Sequence, residues 1–187
     1  MRIVQAERKH CSDIASLIIQ AMTEECCLSF VGEGNTIDDF RSLMSDLTAM
    51  DESQYSYRNT LVAITDDESV AGACVSYQGD DLHRLREPFV REAKARFGVD
   101  HSGIDDETEA GELYIDSIAV YPEYRRRGIA KALLNATMDK AHGLGLSAGL
   151  LVDKANPNAE RLYTALGFKH VDDKTWGGHG MKHLVKE

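Results

Sequence analysis

Apolar residues recur at helical spacing soon after the chain begins. Ile14, Leu17, Ile18 and Ala21 fall at i, i+3, i+4 and i+7 and predict a helix from Ser12, behind a short strand at residues 3–6. Gly32-Glu33-Gly34-Asn35 reads as a loop. Thr36, with Asp38 and Asp39 close behind, reads as the cap and acidic first turn of a second helix. Residues 61–65 and 69–77 are rich in branched residues and flank the acidic turn Asp66-Asp67-Glu68, which predicts a strand pair. Leu82, Leu85, Phe89, Ala93 and Phe97 share one helical face, and Pro88 predicts a kink or restart there. Residues 98–111 read as a loop.

The second half alternates strand and helix. Residues 113–121 form the strongest strand pattern. A helix comes next, with Ile129, Ala132, Leu133 and Ala136 on one face, stopped near Gly143 and Gly145. Residues 149–152 read as a strand. Ala159, Leu162, Tyr163 and Leu166 repeat the helical spacing up to Gly167, and residues 168–171 and 179–185 close the chain as two strands. This alternation predicts an α/β or α+β sheet protein.

Composition bounds the reading further. A chain of 187 residues, 43% hydrophobic and 28% charged, suits one globular domain over residues 1–187 that needs no disulfide staples. The segment at about 79–110 is longer than a strand-to-strand link requires and reads as an insertion. Cys11, Cys26, Cys27 and Cys74 show no CxxC spacing, so the expected setting is reducing and cytoplasmic. The first ten residues lack the apolar stretch of a signal peptide, and no run approaches the length of a membrane span.

The formal net charge is -10, but it is unevenly spread. Residues 1–123 carry 10 basic and 25 acidic side chains, whereas residues 124–187 carry 11 basic and 6 acidic. The acidic total argues against non-specific nucleic-acid binding. The basic C-terminal third leaves room for a local phosphate site, although a solvated charged face would give the same pattern.

Two segments carry chemistry. In Val120-Tyr121-Pro122-Glu123-Tyr124-Arg125-Arg126-Arg127-Gly128-Ile129-Ala130-Lys131 a strand enters a tight turn that opens a helix. Unpaired amides at a helix start, with the helix dipole, favour an anion. Gly128 and the small Ala130 leave the backbone approachable, and Arg125, Arg126 and Arg127 add donors suited to phosphate. The segment is neither a Walker loop nor a full GxGxxG. In Asn156-Pro157-Asn158-Ala159-Glu160-Arg161-Leu162-Tyr163-Thr164-Ala165-Leu166-Gly167-Phe168 an Asn cap opens a helix with Tyr163 near its middle. Taken alone, Tyr163 reads as a core aromatic.

In this order and at this spacing the two segments resemble the GNAT superfamily of N-acetyltransferases, most closely over residues 111–170. The resemblance implies a mixed, mostly antiparallel central sheet with a splayed central strand pair, flanked by helices. It implies acetyl-CoA as co-substrate, with its pantetheine arm along Ile118, Ala119 and Val120 and its pyrophosphate at Arg125, Arg126, Arg127, Gly128, Ile129, Ala130 and Lys131. Asn156 is then a second cofactor contact. It also implies Tyr163 as the general acid for the departing thiolate and a backbone N–H near Ile118 as a stabiliser of the carbonyl oxygen. No metal is implied. His179 and His183 stand four apart, but on a strand rather than a helix.

The general base is less determined. Glu112, Tyr114, Asp116 and Ile118 share parity and one face if their strand is regular, so Glu112 and Asp116 are the carboxylate candidates. The expected acceptor is a primary amine on a small molecule or peptide. The acidic run Asp105-Asp106-Glu107-Thr108-Glu109 leading to Glu112 suggests a cationic one. The alternative on the same fold is a non-catalytic acyl-CoA-binding sensor. No nucleic-acid or membrane partner is expected, and both a monomer and a homodimer fit the sequence.

Overall fold

The computed structural model describes all 187 residues. Its elements in chain order are β1 (Arg2–Gln5), α1 (Cys11–Ala21), α2 (Glu24–Val31), α3 (Ile37–Ala49), β2 (Thr60–Ile64), β3 (Val70–Gln78), α4 (Leu82–Phe97), β4 (Glu112–Val120), α5 (Ile129–Leu144), β5 (Ser147–Asp153), α6 (Pro157–Ala165), β6 (Lys169–Trp176) and β7 (His179–Lys186). The seven strands form one sheet in the order β1-β2-β3-β4-β5-β7-β6. Every neighbouring pair is antiparallel except β4–β5, which is parallel because α5 carries the chain back between them. No single helix is long and apolar enough to cross a membrane.

The sheet has an apolar core on each face. Helices α1 to α4 cover one face, where Ile14, Leu17, Phe40, Leu43 and Met44 pack against Val62 and Val75. Helices α5 and α6 cover the other, where Leu133, Leu134 and Phe168 pack against Leu113, Ile115 and Leu150. Burial of a Leu- or Phe-sized side chain contributes about 1.5–3 kcal/mol, so these two layers hold the sheet between them.

Helix α3 begins where the sequence places it. Thr36 Oγ1 accepts from the Asp39 amide, and the Asp39 carboxylate accepts from the Thr36 amide. Helix α2 is an addition to the sequence reading. Thr23 caps it and Glu24 and Glu25 occupy its first turn, but its eight residues are too few for a clear apolar stripe. Helix α4 runs unbroken through Pro88, where the sequence predicts a kink or restart. The missing proline amide removes one helical hydrogen bond. Burial of Leu82, Leu85 and Phe89 holds the flanking turns in line.

Two features of β4 shape the cleft beside it. Its pairing with β5 covers only Glu112–Ser147, Leu113–Ala148 and Tyr114–Gly149, after which the strands part. Its register against β3 also slips between Ile115 and Ser117, leaving Asp116 as the extra residue of a bulge. Tyr114 and Asp116 therefore face α4, whereas Ile118 packs on the α5 side. The four-residue alignment expected of a regular strand stops at Asp116.

Candidate active site

The parting of β4 and β5 exposes backbone groups. The Tyr121 amide donates to the Ala71 carbonyl at 2.9 Å, which makes Gly72–Val120 a pair without mutual hydrogen bonds. Two residues back, Cys74–Ile118 has the same character. Ile118 and Val120 thus turn their amides and carbonyls away from β3, towards the opening, while Ala119 turns its own towards Ala73. The Val120 carbonyl accepts from Gln20 Nε2 at 2.9 Å and from Arg125 Nε at 3.1 Å. Ile118 has no β5 partner at this level.

Beyond β4, the amides of Arg126, Arg127, Gly128, Ile129, Ala130 and Lys131 make no hydrogen bond within the chain. Gly128 has φ +79°, and a Cβ there would meet no atom within 4 Å. Glycine is required at this point by conformation, and the space beside it stays open. Arg126 is also left-handed, at φ +60°. A non-glycine residue there costs about 1–2 kcal/mol. The three arginines differ in availability. Arg125 is tied to the Val120 carbonyl. Arg127 donates to the Glu123 carbonyl at 3.0 Å and lies over the Tyr124 ring. Arg126 and Lys131 are exposed and have no partner within the chain.

Asn156 caps α6, its Oδ1 accepting from the Ala159 amide at 3.1 Å. Tyr163, on the next turns of that helix, packs edge-on to Phe168 with ring centroids 6.0 Å apart. Burial, with Cys74 nearby, pushes its hydroxyl up to about 12. It therefore holds its proton across the neutral range. Tyr163 is both a core aromatic, as its spacing alone suggests, and the bearer of a hydroxyl that makes no hydrogen bond within the chain.

The two carboxylate candidates have unlike surroundings. Glu112 is 5% exposed. Thr108 Oγ1 donates to its Oε1 at 2.6 Å, and His183 Nε2 lies 2.9 Å from its Oε2. His183 Nδ1 in turn faces Asp172 Oδ1 at 2.9 Å. Burial raises the Glu112 carboxyl, but the His183 and Thr108 hydrogen bonds outweigh it and leave it below its usual range. The Glu112 hydrogen bond, against an opposing contribution from burial, raises His183. Glu112 is thus locked as an anion in a buried chain of hydrogen bonds.

Asp116 is half-buried. Burial, followed by the charge of Glu107, raises it to about 7. Glu107 itself is 3% exposed, accepts from Tyr77 Oη at 2.7 Å and is ion-paired with Arg86. Arg86 also bridges to Asp106 at 3.1 Å. Gln54, from the segment between α3 and β2, reaches both Glu107 and Asp116 with its Nε2 at 3.5 Å. Sequence reasoning missed Gln54, Arg86 and the role of Glu107. Ser53-Gln54-Tyr55-Ser56 is a buried polar run with no periodicity to mark it.

The acidic run is not a free negative edge. Asp106 and Glu107 pair with Arg86, Glu109 with Lys174, and Glu112 with His183. An unpaired carboxylate lies elsewhere. Glu25 borders a cavity of about 450 Å³ between α2, the 98–111 loop and the β6–β7 hairpin, with Phe30, His101, Trp176 and His179 among its walls. Gly177 and Gly178, both at positive φ, make the two-residue turn of that hairpin. Trp176 at its end lies 6.2 Å from Phe30 between ring centroids. No group of three or more His, Cys, Asp or Glu side chains converges as a metal site would.

A mixed sheet opened beside its central strand, with a helix start of unpaired amides at the end of that strand, defines a class of acyl-group transferases. The profile of the acetyltransferase (GNAT) family matches residues 20–168, and the chain belongs to that family. A solved acetyltransferase is 32% identical, with a TM-score of 0.82, over 100% of this chain and 99% of its own. An N-acetyltransferase from Staphylococcus aureus Mu50 is 25% identical, with a TM-score of 0.84, over 99% of this chain and 100% of its own. The NatC complex bound to Gag peptide and CoA shares the fold at 18% identity, with a TM-score of 0.56, over 100% of this chain and 98% of its own. A search of curated proteins finds no match.

Proposed function

We propose that this acetyltransferase is an N-acetyltransferase that uses acetyl-CoA and a primary amine. The observation that carries the reading is the pairing of an open β4 edge with the unpaired amides of residues 126–131. These residues fit the co-substrate. Ile118, and Val120 through its amide, offer backbone groups to an extended pantetheine arm as an added strand would. The amides from Arg126 to Lys131, with the unpaired Arg126 and Lys131 side chains, suit a pyrophosphate. Bound there, acetyl-CoA supplies an activated acetyl thioester.

The protein then has two proton transfers to manage, and the sheet separates them. Asp116 lies on the α4 face of β4, and Tyr163 packs with the α5–α6 core on the other face. The strands β4 and β5 part beyond Tyr114–Gly149, between the two. Asp116 takes the proton that a primary amine carries at neutral pH, for which an ordinary carboxyl is too weak a base. Its raised value narrows that mismatch. An outward amide at Ile118 stabilises charge on the carbonyl oxygen. As the C–N bond forms and the C–S bond breaks, Tyr163 donates its proton to the leaving sulfur, and the second proton shed by the nitrogen restores its hydroxyl. Glu112, already bound to Thr108 and His183, serves structure.

The cavity beside Glu25, which neither Asp116 nor Tyr163 lines, is a candidate seat for the far end of the acceptor. Its aromatic walls and one unpaired carboxylate suit an amine that carries apolar surface and a second positive charge. The test is CoA release from acetyl-CoA with a panel of polyamines, amino sugars and peptide amines, with mass spectrometry of the products. Acetylated amine, lost in Asp116→Asn, supports the reading. Binding of acetyl-CoA without turnover of any amine overturns it in favour of a sensor.

A further inference from the structure

Gln54 is 3% exposed, and its backbone is anchored on both sides. Its amide donates to the Leu85 carbonyl in α4 at 2.9 Å, and its carbonyl accepts from Asn59 Nδ2 at 3.3 Å. Its side-chain Nε2 stands equally far from Glu107 Oε1 and Asp116 Oδ2. Its Oε1 is buried without a partner, and so is Ser117 Oγ, on the residue after Asp116. A buried polar atom left unpaired costs about 1–3 kcal/mol, so this arrangement calls for an explanation.

The two carboxylates are held differently. Glu107 has Tyr77 and Arg86 as firm partners, and Arg86 is fixed in turn by the Ile104 and Asp105 carbonyls at 3.2 and 3.0 Å. Asp116 has the long contact to Gln54 and the Ser117 hydroxyl beside it, and neither is a firm partner. A base must be accommodated both before and after it takes a proton. Ionised, a carboxylate only accepts hydrogen bonds; protonated, it also donates one. A carboxamide presents a donor and an acceptor of nearly equal shape, exchanged by a half-turn about its terminal torsion.

We propose that Gln54 is the positioning residue for Asp116, offering Nε2 to the ionised carboxylate and, turned over, Oε1 to the protonated acid. This rests on Asp116 as the proton acceptor. The unpartnered Oε1 is then the half of the amide kept for the protonated state. Turned over, Oε1 also faces Glu107, whose charge Arg86 and Tyr77 already hold. The ionisable groups facing Asp116 are Glu107, Arg86, Tyr55, Tyr77, Tyr114 and Cys74.

The experiment is an NMR titration of the acceptor-free protein, followed at the Asp116 carboxyl carbon and the Gln54 side-chain amide, with the Asp116→Asn variant alongside. The Gln54 amide signals should move with the same midpoint as Asp116 and stay still in Asp116→Asn. In Gln54→Leu both partnerships are lost, and the Asp116 midpoint should rise by about half to one pH unit, because the hydrogen bond to the charged form is the stronger of the two. Should Gln54→Leu fail to fold, Gln54→Met, which keeps the length but not the amide, should give the same rise. A Gln54 amide that ignores the Asp116 titration, or an unmoved midpoint in a folded Gln54 variant, overturns the proposal. The base assignment fails separately, if Asp116→Asn retains wild-type turnover in the amine panel.

Discussion

The Glu112 carboxylate occupies the place that a side chain on Gly149 would need. A Cβ built on Gly149 would collide with Glu112 Oε2, the oxygen that faces His183. Tyr114–Gly149 is also the last paired position before β4 and β5 part. The buried anion and the missing side chain therefore sit together where the cleft begins. Through His183 and Asp172 the same contact ties β4 to β7 and β6, and through Thr108 it secures the 98–111 loop.

Gly149→Ala should destabilise the protein, because Glu112 cannot move aside without losing its partners. Glu112→Gln should cost about 1.5–3 kcal/mol where the His183 ring is charged, since it removes one of the two carboxylates facing that ring and leaves Asp172. The pH dependence comes from both partners. Glu112 lies below its usual 4.5, so its contribution is present above that value and fades as pH falls through the lower, folded one. His183 lies above its usual 6.5, so its contribution is full below 6.5 and fades as pH rises through the folded value. Urea unfolding should show the Glu112→Gln deficit greatest between about 4.5 and 6.5. The acid limb of kcat/KM should stay in place in this variant; a lost limb would transfer the base role to Glu112.

Asp116→Asn should separate activity from stability. Loss of a general base typically costs about 10²–10⁴-fold in rate. The folded carboxyl titrates near 7 against a usual 3.8, so the native state holds more protons than the unfolded one between those values, and stability falls as pH rises through that window. Asparagine carries no such charge. Thermal melts at pH 8 should show Asp116→Asn as stable as wild type or more so, with the advantage gone at pH 4.

The strands, most helices and the Arg/Gly turn are legible in the sequence because each rests on local pattern. Residues 113–121 read as a strand from branched side chains, and Arg125 to Ala130 as a turn from its glycine and arginines. What the pattern cannot carry is pairing across the chain. Glu107 and Glu109 look like a free acidic edge until Arg86 and Lys174, 21 and 65 residues away, are seen beside them. The bulge at Asp116 is equally silent, since it exists only relative to β3. Gln54 has no local signal at all.

That pairing changes the expectation for the acceptor. Neutralising Asp105, Asp106 and Glu109 together should leave the acceptor KM nearly unchanged at low salt, because Asp106 and Glu109 already face cations within the chain. Glu25→Gln should raise the KM for polyamines several-fold, with the difference shrinking as salt is added. Steady-state kinetics at two ionic strengths decide between these sites. A raised KM in the loop variant with none in Glu25→Gln would return the role to the loop.

Tyr163→Phe should lower kcat with little change in the KM for acetyl-CoA. The ring stays packed against Phe168, so the loss falls on the hydroxyl alone. General-acid removal costs about 10²-fold or more when leaving-group protonation limits the rate. Because the hydroxyl titrates near 12, wild-type kcat should show no fall attributable to Tyr163 below about pH 10. At the other end of the proposed cofactor site, Gly128→Ala should do the opposite. Forcing a Cβ into φ +79° shifts the amides from Arg126 to Lys131, so acetyl-CoA binding should weaken while kcat at saturation changes little. Calorimetric titration with CoA and single-turnover rates at saturating acetyl-CoA separate the two effects. Tight CoA binding by Gly128→Ala would show that the turn is not the phosphate site.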